Sequence, residues 1–428
     1  MQSVVDNNCT HERFALTFSN VFAVNNKIER GHILQSDFTS KLPNLETSIF
    51  TEMSVMANQH QAINLSQGFP EFDTPDFLKN EINQAISEGK NQYSPSNGVP
   101  ELLKQIANMV HRHYQTHLSD NQKLDGLNNV TVTSGATEAL WVAIQTLVRP
   151  YDEVIIFDPA YDSYEPAIQL AGGTCRHIGL EAPEYAINWT QVKQSITDKT
   201  RAIIVNSPHN QTESILSQSD MNALQDLVKQ HNLYVISDEV YEHMTFDGLR
   251  HESVLRYPAL FERSFVVSSF GKTFHCTGWK MGYCAAPAGL MTEFRKIHQY
   301  VNFCSFTPAQ VAIAHMLKEQ PSHITDLPNF YQQKRDVLVG ALKDSRFKVL
   351  PSKGTYFLLL DYTAISDLND RAFCEWLTKE NGVAAIPLSP FYPEEQREEY
   401  GQNNRIIRLC FAKNEDTLIE AAAILSQL

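Results

Sequence analysis

The chain has 428 residues, 43% of them hydrophobic and 20% charged, with a formal net charge of −14. That length holds two or three domains of about 100–200 residues each, and the composition is that of a soluble globular protein with a sizeable core. The acidic balance and the lack of a basic patch argue against nucleic-acid binding, and no run approaches the roughly 20 apolar residues that span a bilayer.

Seven cysteines, at 9, 175, 276, 284, 304, 374 and 410, include no CxxC pair. This favours a reducing, cytoplasmic setting over a disulfide framework or a zinc ribbon. Residues 1–40 lack a continuous apolar stretch and a small-residue cleavage site, so a weakly ordered extension is expected there rather than a secretory signal. Residues 41–79 are expected to form an arm that packs with the C-terminal part.

From about residue 100 the chain alternates. Helix-like "PELLKQIANMVHRHYQTHL" precedes strand-like "NVTVTS" and helix-like "TEALWVAIQTLV". The runs "EVIIFDP", "RAIIVNSP", "LYVISDEVY", "SFVVSSF" and "GYCAAP" follow. They are short and β-branched or apolar, most of them separated by segments of helical period. This pattern predicts an α/β fold, a mostly parallel sheet with helices on both faces, over residues 80–320. Ligands of such sheets sit at the carboxyl ends of the strands. Within "HRHYQTH", His113 and His117 fall one turn apart. No carboxylate or cysteine ligand is near in sequence, so the tract reads as a solvated helix face and no metal is expected. After about residue 320, "FKVLPSKGTYFLLLDY", a helix near 369–380, "GVAAIPLSP", "RIIRLCFA" and a last helix from about 414 predict a smaller α+β domain over 321–428.

The stretch "SSFGKTFHCTGWKMGY", residues 268–283, admits three chemistries. A phosphate loop requires GxxxxGK[ST], but Val266 stands where the first glycine belongs. A serine acylase is signalled by Ser269-Phe270-Gly271-Lys272 and by "SDN" at 119–121. In that class SxxK comes first and opens a helix, whereas here SDN precedes it, Gly271 disfavours a helix and no KTG follows. The third chemistry is a lysine that becomes covalently attached to a cofactor.

Further motifs follow other strands: "ISDEVY", "HN" at 209–210, "TSGATEAL" and "DPAYDSY". Together these residues resemble the pyridoxal phosphate-dependent aminotransferases of class I/II, which have the type I fold of such transferases. "SSFGKTFHCTGWKMGYC" and "SDEVYEH" are similar to the kynurenine aminotransferase and glutamine transaminase K branch. "KLPNLETSIFTEMSVMANQHQAINLSQGFPEFDTP" and "RLCFAK" are closer still to bacterial methionine aminotransferases. The resemblance covers about 41–428.

The resemblance implies a role for each matching residue. Lys272 joins pyridoxal 5′-phosphate covalently and then moves the substrate's α-proton. Asp238 faces the pyridine nitrogen and keeps it protonated. Tyr241 and Asn210 bond the cofactor's phenolic oxygen, and Tyr161 stacks on its ring. Gly135, Ala136 and Thr137 at a helix start, with Ser269 and Lys280, hold the phosphate. Tyr93 reaches the phosphate from the neighbouring subunit. Arg408, inside an apolar strand, takes the substrate carboxylate bidentately, aided by Asn210 and the Gly68 N–H; Arg405 is the outward-facing arginine of that strand. Phe50 and the partner-contributed Phe303 shape an apolar side-chain pocket. "HNQTES" departs from the family's Asn-Pro-x-Gly by changing the turn while keeping the asparagine.

The expected protein is therefore a cytoplasmic homodimer with shared active sites. It transfers the amino group of methionine and other large apolar or aromatic amino acids to a 2-oxo acid, by ping-pong kinetics through pyridoxamine phosphate. Three alternatives stay open on sequence: β-elimination from cysteine conjugates at the same site, a serine acylase acting through Ser269, and a non-enzymatic regulator built on this fold.

Overall fold

The computed structural model describes residues 39–43, 45 and 47–428, and every element below lies in the unit Leu45–Leu428. The extension expected over residues 1–40 falls outside the described residues except for its last two. In chain order the strands are β1 (Ile63–Asn64), β2 (Val130–Thr133), β3 (Glu153–Asp158), β4 (Thr174–Gly179), β5 (Thr200–Asn206), β6 (Tyr234–Asp238) and β7 (Ser264–Ser269). They continue with β8 (Gly282–Ala285), β9 (Lys348–Val349), β10 (Phe357–Asp361), β11 (Val383–Ala384), β12 (Ile386–Pro387) and β13 (Ile406–Cys410).

Seven of them form one sheet in the order β2-β8-β7-β6-β5-β3-β4. β8 runs antiparallel to both its neighbours, and the pairs from β7 to β4 are parallel. Apolar runs such as "VIIF" and "AIIV" follow from burial on both faces. Val154, Ile156, Ala202, Ile204 and Ile236 enter one apolar cluster, with the helices Ala136–Leu147 and Tyr164–Leu170. Their neighbours Ile155, Phe157, Ile203, Val205 and Val235 enter the cluster on the opposite face. Each such side chain contributes about 1.5–3 kcal/mol on burial, so a polar residue at Ile204 would break the layer.

The later part of the chain holds a second, four-stranded sheet in the order β12-β13-β10-β9. Leu359 pairs with Arg408 in its antiparallel β10–β13 ladder. β1 pairs in parallel with β11, and the helix Ile49–His60 packs on the helix Asp370–Asn381.

Three local features differ from the sequence reading. β4 was not predicted: "TCRHIG" is an edge strand whose residues alternate between exposed and half-buried along its first half, so it carries no apolar run. The helix that begins at Pro100 stops at His113. Beyond it Tyr114 is buried, and its hydroxyl donates to Glu242 Oε2 over 2.6 Å. His117 is exposed, as the solvated reading expects, whereas His111 and His113 are half-buried; the Nε2 atoms of His111 and His117 lie 2.8 Å from Leu124 O and 3.1 Å from Arg256 O. Finally, Phe270–Thr273 is a single helical turn despite Gly271. A Cβ on Gly271 would lie 3.1 Å from Thr277 Cα, so close packing explains the glycine.

Candidate active site

The parallel strands point their carboxyl ends at one cavity. Gly135, Ala136, Thr137, Tyr161, Asn210, Asp238, Tyr241, Ser269, Lys272 and Lys280 all line it, joined by Met281 and Val240 among others. Apart from Lys280, which precedes β8, the sequence-predicted residues arrive from strand ends or the segments after them: Asp238 from β6, Ser269 from β7, Gly135 after β2, Tyr161 after β3, Asn210 after β5.

The cavity has a positive end. Gly135 has φ +81° and begins the twelve-residue helix Ala136–Leu147. A Cβ there would sit 3.3 Å from Lys280 Cε and Nζ, so glycine lets the ammonium approach the helix start. Lys280 itself holds a left-handed turn with φ 53°. A helix N-terminus, an ammonium and the Ser269 and Thr137 hydroxyls suit a dianionic phosphate.

Asp238 is buried at the end of β6. Its Oδ2 accepts the Tyr164 hydroxyl at 2.6 Å and its Oδ1 accepts Val240 N–H at 3.3 Å. Burial pushes its pKa up to about 6, while the Tyr164 bond works in the opposite direction. A protonated ring nitrogen would supply the counter-charge this carboxylate lacks.

Lys272 Nζ donates to Tyr356 Oη at 2.7 Å and to Gly68 O at 3.3 Å. Burial, with the positive charges of Lys280 and Arg408 acting in the same direction, lowers its pKa to about 8. Such an amine is a far better base and nucleophile at neutral pH than an ordinary lysine near 10.4. The carbonyl of Gly68 thus faces Lys272. A Cβ on Gly68 would fall 2.5 Å from the Phe357 ring, so only glycine fits there.

Arg408 is 1% exposed. Its Nη1 donates to Asn210 O and Oδ1, both at 3.0 Å, and to Gln211 Oε1. The guanidinium lies 3.8 Å from the Phe357 ring centre, with Phe50 and Phe391 at 5.6 and 5.7 Å. Among the described residues its buried Nη2 has no hydrogen-bond partner, which suits a carboxylate ligand. Arg405 instead pairs with Asp367 at 2.8 Å.

Tyr93 and Phe303 lie outside this cavity. They meet edge to face at 5.2 Å and are 82% and 50% exposed. Tyr161 does line the cavity, and burial pushes its pKa up to about 12. The sequence reading missed Tyr164, Tyr356 and Gln211. For Gln211 a signal existed, since "HNQTES" breaks its expected motif at that position. It also missed Glu213, which is fully buried and, among the described residues, has no partner on either carboxyl oxygen. Burial raises its pKa well above the usual carboxylate range.

Comparison with known proteins places the chain among its relatives. The family model "Aminotransferase class I and II" matches residues 60–425. The methionine aminotransferase of Escherichia coli is 51% identical over 91% of this chain and 98% of its own. Human kynurenine–oxoglutarate transaminase 1 is 32% identical, over 88% of this chain and 95% of its own. The crystal structure of YbdL from Escherichia coli, described as having a methionine aminotransferase function, superposes with a TM-score of 0.87 and 51% identity. It covers 91% of this chain and 99% of that one. The family model spans most of the chain and these relatives match it over nearly their full length, so the chain belongs to the class I and II aminotransferases.

Proposed function

We propose that this protein transfers the amino group of methionine, and of other large apolar or aromatic L-amino acids, to a 2-oxo acid, with pyridoxal 5′-phosphate as its cofactor. The observation that carries this reading is the junction at Asn210. Asn210 lines the cavity that holds Lys272 and Asp238, and both its oxygens accept from Arg408. A cation for a carboxylate therefore adjoins a cavity suited to a phosphate-bearing aromatic ring.

In this reading Gly135, Ala136, Thr137, Ser269 and Lys280 hold the phosphate, and Tyr161 stacks on the ring. Asn210 and Tyr241 bond its phenolic oxygen, and Asp238 holds the proton on its nitrogen. Bound there, the cofactor supplies an electron sink for the pair left when the substrate's α-proton departs. Lys272 takes and returns that proton, for which a pKa of about 8 is well placed. Arg408 and Gly68 fix the carboxylate. Phe50 and its neighbour Phe391, whose ring centres are 5.4 Å apart, give the side chain an aromatic wall. Methionine is favoured by the 51% identity to an enzyme of that name, and thioethers pack well against aromatic rings.

A second copy of the chain completes the site in this reading. Tyr93, Tyr300, Phe303 and Phe306 are all at least half exposed, and an exposed aromatic patch of this kind marks an interface. Tyr93 would cross to the partner's phosphate site, and Phe303 to its side-chain pocket. A cytoplasmic setting is supported by six free cysteines among the described residues.

The test is an absorbance spectrum of the purified, pyridoxal phosphate-treated protein before and after L-methionine. The visible band of the lysine-bound cofactor is expected to give way to the shorter-wavelength band of the amine form. Lys272→Ala is expected to lose both the initial band and the conversion. A wild-type protein that acquires no visible band would overturn the reading. Two-substrate kinetics should give parallel lines, as a shuttle between two cofactor forms requires.

A further inference from the structure

The unpredicted strand β4 carries a second constellation, remote in sequence from the lysine, aspartate and arginine already described. Cys175 and His177 are two residues apart on this edge strand, so their side chains share a face. They pair in register with Val154 and Ile156, whose face is covered by the helix Tyr164–Leu170. That helix contributes Glu165. One ligand atom from each of Glu165, Cys175 and His177 lies within 4.8 Å of the other two. Among the described residues this is the one such cluster of three.

The histidine is also oriented. His177 Nδ1 lies 3.1 Å from both Oδ1 and Oδ2 of Asp158, a carboxylate whose side chain is 2% exposed. That contact leaves Nε2 to face Glu165 Oε1 at 4.0 Å. A buried carboxylate behind a histidine, with the other ring nitrogen free, is the arrangement that fixes metal-ligating imidazoles. A four-coordinate ion with ligand distances of about 2.0–2.3 Å places its ligand atoms roughly 3.3–3.7 Å apart, so only a small side-chain adjustment closes this site.

We propose that Cys175, His177 and Glu165 bind one zinc-class divalent ion, with Asp158 positioning His177. Thiolate, imidazole and carboxylate together favour zinc over magnesium or calcium, which take oxygen ligands. Three protein ligands leave a fourth position for water. The Glu165 side chain, 43% exposed, gives the ion an entry route. Such an ion would pin the helix Tyr164–Leu170 to the sheet edge. The inference stands independently of the aminotransferase reading, since no residue of this cluster belongs to the lysine cavity.

The test uses untagged, cofactor-loaded protein stripped with a chelator and titrated with Co²⁺. One equivalent is expected to bind saturably, with visible bands of four-coordinate cobalt at wavelengths beyond the cofactor's absorbance, and Zn²⁺ is expected to displace it. Cys175→Ser should alter those bands and remove the thiolate charge-transfer component, while the methionine-dependent spectral change persists. Asp158→Asn should weaken binding by about 10–100-fold. If His177→Ala fails to fold, as judged by loss of the cofactor band, the Cys175→Ser spectrum decides alone. Absence of saturable Co²⁺ binding, or a spectrum indifferent to Cys175→Ser, would mean that His177 serves only as an ion-pair partner of Asp158 and Glu165, and would overturn the proposal.

Discussion

Tyr164 donates its hydroxyl to Oδ2 of Asp238 across 2.6 Å, joining the helix after β3 to the end of β6 beneath the cavity. This bond favours the charged carboxylate and so counteracts part of the rise that burial imposes on Asp238. Tyr164→Phe should therefore raise the Asp238 pKa further and move the acidic limb of the kcat profile to higher pH. A kcat–pH profile of the variant checks this, and an unmoved limb would show that Asp238 does not set it. Asp238→Asn, which keeps the shape but loses the charge, should cost about 100-fold or more in kcat.

Arg408 depends on Gln211 for its orientation. The Oε1 of fully buried Gln211 accepts from Nη1, and Gln211→Met removes that acceptor while keeping the bulk. Losing a charged hydrogen bond of about 1.5–3 kcal/mol should raise KM for methionine by about 10-fold or more. KM for the oxo acid should rise with it, and kcat should change less. Reaction with the decarboxylated amine of methionine, which offers no carboxylate, should be unaffected. Equal losses with both compounds would instead indicate general disruption.

The amine of Lys272 titrates at about 8, so about one molecule in ten carries it neutral at pH 7. Only the neutral amine attacks an aldehyde. The rate at which cofactor-free protein takes up pyridoxal phosphate should rise about tenfold per pH unit up to pH 7 and level off above 8. Stopped-flow absorbance across pH 6–9 measures this, and a rate still climbing steeply at pH 9 would place the amine nearer its ordinary value.

Glu213 gives a stability signature. Its pKa is raised in the folded protein, so between the unfolded value near 4.5 and the folded value the native chain holds a proton that the unfolded chain releases. The associated stability is complete below the unfolded pKa and is lost as pH rises through the folded one, with a slope of up to about 1.4 kcal/mol per pH unit. Asp238 contributes in the same sense over a narrower range. Urea unfolding at pH 5, 6 and 7 should show a shallower decline for Glu213→Gln than for the natural chain. Parallel declines would mean that Glu213 is already ionised in the fold.

Two kinds of cavity or anchor residue were legible in the sequence: charged groups whose chemistry conflicts with their surroundings, and residues such as Tyr161, Tyr241 and Asn210 that the family resemblance alone brought out. Asp238, Lys272 and Arg408 are charged groups ending, following or interrupting apolar strands, and such placements need a partner. Tyr164, Tyr356 and Gln211 raise no such conflict, because a tyrosine or glutamine near a strand is unremarkable until the fold brings it to its partner. Lys272 and Tyr356 are 84 residues apart in the chain and meet at 2.7 Å. Strand β4 escaped for a related reason: an edge strand with a half-solvated face has no apolar run to announce it.

The aromatic wall beside Arg408 carries a lesson for redesign. Phe50, Phe357 and Phe391 surround the guanidinium, with Phe357 only 3.8 Å away. The rings that would sort amino acids by side chain are thus the same rings that prop up the group holding what all amino acids share. Enlarging the pocket at Phe50 or Phe391 loosens that prop as well, so altered preference and weakened anchoring arrive together. Evolution toward new substrates on this scaffold has to move through paired changes, one widening the wall and another restoring the stack.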